Sequence, residues 1–134
     1  MKEVQIRLSG TGGQGLQLSA KMLAEALIQE GRQIAQSQSY EPTSRGGLSR
    51  ADLVVGEEIP DYPLVTNLNA LLILDGLAAD ASTHLLQSGS VVITDSTKVK
   101  SPPAGDFSVH FLPLTETSKT WCIPLRWCCP AASW

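Results

Sequence analysis

Six residues, Gly10-Thr11-Gly12-Gly13-Gln14-Gly15, stand between a strand-like pattern and a helix-like one, and few folds admit such a junction. Before it, Val4, Ile6 and Leu8 alternate with polar neighbours at the strand period of two. After it, Leu16, Met22, Leu23, Ala26 and Leu27 recur at helical spacing. Glycines suit a tight strand-to-helix turn, where a side chain would clash or forbid positive φ. The first N–H groups of the helix then face whatever lies above the turn, and the helix dipole favours an anion there. The spelling G-x-G-x-x-G is that of a dinucleotide-binding turn. Such a site also needs an acid about twenty residues on, at the end of the second strand, to hold the ribose. The second strand here ends in Ala35-Gln36-Ser37-Gln38, and Glu30 precedes it, so nicotinamide dinucleotide binding is disfavoured. A phosphate-bearing ligand or a partner's backbone fits better, and a turn that only packs helix against strand is the alternative.

The rest of the chain continues the alternation. A helix is expected over 16–29, stopped by Gly31, then a short strand over 32–37. A polar loop follows over 38–48, then a strand over 51–55 and a connection or short helix start over 57–63. The nearly all-apolar run 70–75 reads as a strand buried on both faces, and 91–94, ending at Asp95, as another. Between them, 77–86 suits a short helix and 87–89 a turn. A loop at 101–105 and a last strand over 107–114 complete the pattern. This predicts an α/β fold: a Rossmann-like three-layer sandwich with a mostly parallel sheet, 70–75 and 91–95 central and 4–8 beside them.

Composition narrows the function classes. The 134 residues suit one domain, and 43% hydrophobic with 17% charged residues describes a folding chain. A net charge of −3 without any basic run argues against a nucleic-acid partner. The longest mainly apolar run, 70–74, is far short of a membrane span, and the N-terminus carries no signal-peptide pattern. A cytoplasmic protein with no membrane partner is expected. Cys122, Cys128 and Cys129 crowd together with Trp121, Trp127 and Trp134 near the C-terminus, in a segment with neither strand nor helix periodicity. Their odd count does not suggest a disulfide framework, and with His110 the nearest histidine they lack a fourth zinc ligand. The chain therefore divides into a domain over 1–119 and an aberrant, frameshifted or disordered tail over 120–134. No metal site is expected.

A second candidate region is Ser39-Tyr40-Glu41-Pro42-Thr43-Ser44-Arg45-Gly46-Gly47. It starts at the carboxyl edge of the sheet, near the glycine turn. Arg45 offers a planar fork for phosphate or carboxylate, Gly46 and Gly47 admit close backbone approach, and Tyr40 presents a flat face and a hydroxyl. An ordinary surface loop with a solvated arginine is the alternative. Asp75 and Asp95 close two strands, either as helix caps or as a pair meeting at the sheet edge. His84 and His110 have no nucleophile beside them, and no G-K-[ST] follows the glycines, so no catalytic residue is assigned.

Taken together, Gly12-Gly13-Gln14-Gly15, the helix from Ser19 to Ala26, Ser39-Tyr40 followed by Pro42 and Arg45-Gly46-Gly47, Asp61-Tyr62-Pro63 and Val91-Val92-Ile93-Thr94-Asp95 resemble one family. It is the gamma subunit, or gamma domain, of 2-oxoacid:ferredoxin oxidoreductases of the pyruvate and 2-oxoglutarate synthase type. The resemblance implies a complex that oxidatively decarboxylates a 2-oxoacid to acyl-coenzyme A and CO2 and reduces ferredoxin. It implies alpha, beta and in some complexes delta subunits as partners, with thiamine diphosphate and iron–sulfur clusters held by those subunits. Within it, Gly12, Gly13, Gln14, Gly15, Ser39, Tyr40, Arg45, Gly46 and Gly47 would face coenzyme A or a neighbouring subunit. Members of the family continue past Thr117, so a helix supplied by that extension would leave an apolar patch bare in this chain. The rival readings are a free-standing Rossmann-like nucleotide-binding module and a truncated, non-functional product.

Overall fold

The computed structural model describes residues 3–40, 47–61 and 64–122, with the backbone alone for Tyr40, Trp121 and Cys122. In chain order the elements are β1 (Val4–Thr11), α1 (Leu16–Gln29), β2 (Gln33–Tyr40), β3 (Leu48–Gly56) and β4 (Leu68–Ile73). Single 3-10 turns at Gly76–Ala78 and Thr83–Leu85 lead into β5 (Leu86–Asp95), β6 (Ser108–Leu112) and α2 (Leu114–Cys122). The strands form one sheet in the order β2-β3-β1-β4-β5-β6. β4 is parallel to β1 and β5, and β6 is parallel to β5, whereas β3 is antiparallel to both its neighbours. The α/β, mostly parallel architecture expected from the sequence is the one observed.

Period-two alternation assigns the two faces. On the first, Leu8, Ala51, Leu53 and Val55 pack against Leu16, Ala20 and Ala24 of α1, which fall on one stripe at i, i+4, i+8. The small side chains at Ala20, Ala24 and Ala51 let the helix approach the strands closely. The helix stops in a Schellman arrangement, with Gly31 N–H donating to the Ile28 carbonyl (2.9 Å) and Arg32 N–H to the Leu27 carbonyl (3.0 Å). On the second face, Val54, Leu71, Ile73 and Val92 are covered by Ala78, Ala79 and Val99 from the connections that leave β4 and β5. The third layer is thus built of 3-10 turns and irregular chain.

Four local expectations change. The stretch 77–86 is two single 3-10 turns, and Leu86 already belongs to β5. Short polar residues there compete for the backbone: Asp75 Oδ1 accepts from Leu77 N–H (3.1 Å), and the Thr83 hydroxyl donates to the Ala79 carbonyl (3.3 Å). The turn at 87–89 lies inside β5 as an irregularity, since Leu68 pairs with Leu86 but Ala70 with Val91. The Ser90 hydroxyl locks it by donating to the Leu68 carbonyl (2.6 Å) and accepting from Gln87 N–H (3.0 Å). Residues 38–40 extend β2, because pairing with β3 runs down to Tyr40 opposite Ser49. The central pair is β1 and β4, with β5 one place outward. Residues 57–61 form no helix, and Tyr62 and Pro63 lie outside the described residues. α2 runs through position 119, and residues 123–134 lie outside the described residues.

Helix α1 sits mainly over β3, β2 and β1, and the cluster beneath it reaches Leu72 and Leu74 at β4. The first face of β4–β6 therefore carries half-buried Leu72, Leu74 and Ile93 beside Val91 and Leu112, which are 39% and 44% exposed. Parallel strands are normally covered on both faces, whereas the described residues leave this apolar strip partly exposed.

Candidate functional site

β1 delivers the chain to the carboxyl edge of the sheet at Thr11. From there it must reverse into α1, and two residues take up left-handed backbone to do so: Gly13 at φ 86° and Gly15 at φ 74°. Gly15 is the N-cap and has no side chain to bond the first turn of α1, which also lacks an acidic residue. Among the described residues no side chain caps those N–H groups, which lie at the positive end of the helix dipole.

Gln14 holds the turn to the sheet. Its Oε1 accepts from Thr11 N–H (2.8 Å), and its Nε2 donates to the Leu74 carbonyl at the end of β4 (3.3 Å). A Cβ on Gly10 would press on the folded-back Gln14 amide, so glycine at position 10 leaves room for that side chain to make both bonds. Gly12 N–H donates to the Gly47 carbonyl (3.3 Å), which fastens the turn to the chain entering β3. Among the sequence candidates, then, Gly12, Gly13, Gln14, Gly15 and Gly47 come together. Ser39 lies on the other face of the sheet, Tyr40 ends β2 with its backbone beside Ser49, and Arg45 and Gly46 lie outside the described residues.

The sheet order also bears on what the glycines can hold. β3 is inserted between β1 and β2, so the end of β2 lies two strand spacings from β1, about 10 Å. A ribose-binding acid at the end of β2 would not stand next to the turn. The missing acid and the inserted strand argue in the same direction against a dinucleotide.

Connections leave β1 toward β2 over one face and β4 toward β5 over the other, which makes the β1/β4 boundary a topological switch point. A cleft of about 300 Å³ opens near there, lined by Gln14, Leu74, Asp95, Lys98, Leu114, Thr115 and Ser118. Asp95, 1% exposed, accepts from Thr97 N–H at Oδ1 (3.0 Å) and from Thr115 N–H at Oδ2 (3.1 Å), and the Thr115 hydroxyl also bonds Oδ2. It ties the end of β5 to the start of α2, and Asp75 caps the first 3-10 turn, so both acids are caps. Burial pushes the Asp95 carboxyl up, but the Thr115 hydroxyl and the Thr97 and Thr115 N–H groups outweigh it and hold the pKa below the ordinary value. A lowered folded pKa gives stability that is complete above the unfolded aspartate pKa and is lost as pH falls through the folded one. Acid titration of wild type against Asp95→Asn should show this: the substitution removes part of the stability gained on raising pH through the aspartate range. Equal pH dependence in both proteins would contradict the assignment.

The sequence reading named Asp95 as a strand-closing acid at the sheet edge but missed Lys98 and Thr115, which line the cleft with it. It also missed Arg7, which occupies a polar position of an alternating strand like any solvated residue. Among the described residues, no three His, Cys, Asp or Glu side chains group as metal ligands, and no helix is long and apolar enough to cross a membrane.

Residues 5–126 match the family described as pyruvate ferredoxin/flavodoxin oxidoreductase. The 2-oxoglutarate synthase subunit KorC of Archaeoglobus fulgidus is 41% identical over 98 residues, 68% of this chain and 52% of that protein. The gamma subunit of a keto/oxoacid ferredoxin oxidoreductase from Geobacter sulfurreducens superposes with a TM-score of 0.79 at 37% identity, over 89% of this chain and 65% of that one. The 2-oxoglutarate:ferredoxin oxidoreductase of Magnetococcus marinus, solved with 2-oxoglutarate, coenzyme A and succinyl-CoA bound, shares the fold. Its TM-score is 0.78 at 17% identity, over 90% of this chain and 21% of that one. This chain spans about half the length of the Archaeoglobus protein and less than two thirds of the Geobacter one. It belongs to the pyruvate ferredoxin/flavodoxin oxidoreductase family.

Proposed function

We propose that the chain serves as the gamma component of a 2-oxoacid:ferredoxin oxidoreductase, a complex that converts a 2-oxoacid and coenzyme A to acyl-coenzyme A and CO2 while reducing ferredoxin. The observation that carries this reading is the likeness to the Geobacter gamma subunit over 89% of the chain. The residues agree with a supporting role: the acids at the carboxyl edge, Asp75 and Asp95, are engaged as caps, and Asp95 has both oxygens bonded. Thiamine diphosphate, which supplies the carbanion chemistry of 2-oxoacid decarboxylation, and the iron–sulfur clusters would reside in alpha, beta or delta partners. This chain would contribute shape and hydrogen bonding, with the uncapped start of α1 and the segment from Ser39 to Gly47 turned toward coenzyme A or a neighbouring subunit.

Arg45 is the residue of choice for a test, because a guanidinium fork recognises phosphate or carboxylate in a way alanine cannot replace. In the assembled complex, Arg45→Ala should raise the KM for coenzyme A by about tenfold, the loss of one charge-assisted contact, or else reduce assembly. Unchanged KM and unchanged assembly would overturn the assigned role of this segment.

A further inference from the structure

Two polar rows run across β1, β3 and β2 on the face opposite α1, and they differ in one respect. In the first, Arg7 pairs in register with Asp52, which pairs with Ser37. Arg7 donates from Nε to Asp52 Oδ1 (2.7 Å), from Nη2 to Oδ2 (2.8 Å) and from Nη1 to the Ser82 hydroxyl (3.0 Å). In the second, one period closer to the carboxyl edge of β1, Ser9 pairs with Arg50, which pairs with Ser39. By alternation these three share the face of Arg7 and Asp52. The second row has the guanidinium and the hydroxyls but no carboxylate.

We propose that Ser9, Arg50 and Ser39 form a receptor for one oxyanion, a phosphate or a carboxylate brought by a ligand. The Ser9 side chain is fully buried, at 0% exposure, and its hydroxyl has no hydrogen-bond partner among the described residues. A buried hydroxyl left unpaired costs about 1–3 kcal/mol, and folded proteins rarely keep one without a use. Arg50, half-buried, likewise has no hydrogen bond or ion pair among the described residues. Asp52, the nearest acid along β3, has both oxygens engaged by Arg7. An oxyanion beside Arg50 would take two parallel N–H bonds from the fork and one from the Ser9 hydroxyl, repeating the pattern that Asp52 completes in the first row. Access is from the β2 side, since Ser9 is buried, Arg50 half-buried and Ser39 exposed. The row lies across the sheet from α1, and none of its members lines the cleft near Gln14, so the proposal stands independently of the function proposed above.

The test is thermal denaturation of the full chain in inorganic phosphate, with sodium chloride at matched ionic strength as control and acetate as a second arm. Wild type should show a saturable rise in Tm that chloride does not give. A rise in phosphate alone identifies the ligand group as a phosphate, and a comparable rise in acetate identifies it as a carboxylate; either result supports the receptor. Arg50→Gln should abolish the rise, and Arg50→Lys should weaken the apparent affinity by about 10- to 100-fold, as expected for losing a bidentate charge-assisted contact. Ser9→Ala gives a readout that a structural serine would not. Without phosphate it should hold or raise Tm, because the unpaired hydroxyl is gone, yet it should reduce the phosphate response. No anion-specific rise in wild type, or an equal rise in Arg50→Gln, would overturn the proposal.

Discussion

Replacing Asp52 by alanine should lower the unfolding free energy by about 3–5 kcal/mol, because it leaves the Arg7 guanidinium inside the protein without its counter-charge. The pair is desolvated, with the two side chains 4% and 7% exposed, and its distances of 2.7 and 2.8 Å are those of a bidentate fork. Total stability of a domain this size is about 5–15 kcal/mol, so the loss is a large share of it. The pair itself need not be strongly stabilising, since two ions lose their hydration to form it. The double substitution Arg7→Met with Asp52→Leu should therefore recover most of the loss. Urea denaturation measures both: the single variant should shift its midpoint far down at unchanged slope, and the double variant should return toward wild type. A loss below about 1 kcal/mol in Asp52→Ala would mean that Arg7 reaches water in that variant, contrary to the packing described.

The glycine turn should divide sharply by position. Gly13→Val combined with Gly15→Val should cost about 2–4 kcal/mol, since each residue holds left-handed backbone that costs an L side chain about 1–2 kcal/mol. Gly12 differs: its φ is not in that region, and a Cβ added there meets nothing within 4 Å. Gly12→Ala should leave the stability of the isolated chain within about 0.5 kcal/mol of wild type, as surface substitutions do. Any loss of assembly or of coenzyme A use in Gly12→Ala then reports a partner or ligand close to that backbone. A folding defect in Gly12→Ala, or none in the double valine variant, would contradict the turn geometry.

The legible parts of the fold were those fixed by local periodicity and punctuation. Helix 16–29 coincides with α1 because helical spacing and a stop at Gly31 are both written locally. Of the residues that carried the spacing, however, Met22, Leu23 and Ala26 face solvent, and the buried stripe is Leu16, Ala20 and Ala24. The strand near 91–94 and the all-apolar strand near 70–75 were readable from their apolar runs, although only one face of each is buried. Leu71, Ile73 and Val92 are buried, while Leu72 and Ile93 are half-buried and Val91 is exposed. What was lost depended on distant partners. The polar residues Gln38-Ser39-Tyr40 read as the start of a loop, and only their ladder with β3 makes them strand. Likewise 77–86 has helical composition, but Ser82 is drawn to Arg7, 75 positions away.

The same division holds at the candidate site. Gly13 and Gly15 announced a turn, while nothing in the spelling says that Gln14 folds back to bond Leu74. The cross-sheet company of Ser9 and Arg50 follows from a register that no local pattern encodes, because β3 is inserted between β1 and β2. The resemblance to the gamma family, carried by two motifs some twenty-five residues apart, reached further than either motif alone; Gly12 of the first and Gly47 of the second are joined by a hydrogen bond.

The most direct measurement for the central claim is the size and composition of the species formed when this chain is co-expressed with alpha and beta subunits of a 2-oxoacid:ferredoxin oxidoreductase. Light scattering coupled to size-exclusion chromatography gives the mass, and mass spectrometry of the peak gives its contents. The account predicts a large species that contains this chain together with both subunits. Alpha and beta assembling without it, while the chain elutes separately near its own 14.3 kDa, would contradict the account and favour a free-standing nucleotide-binding module.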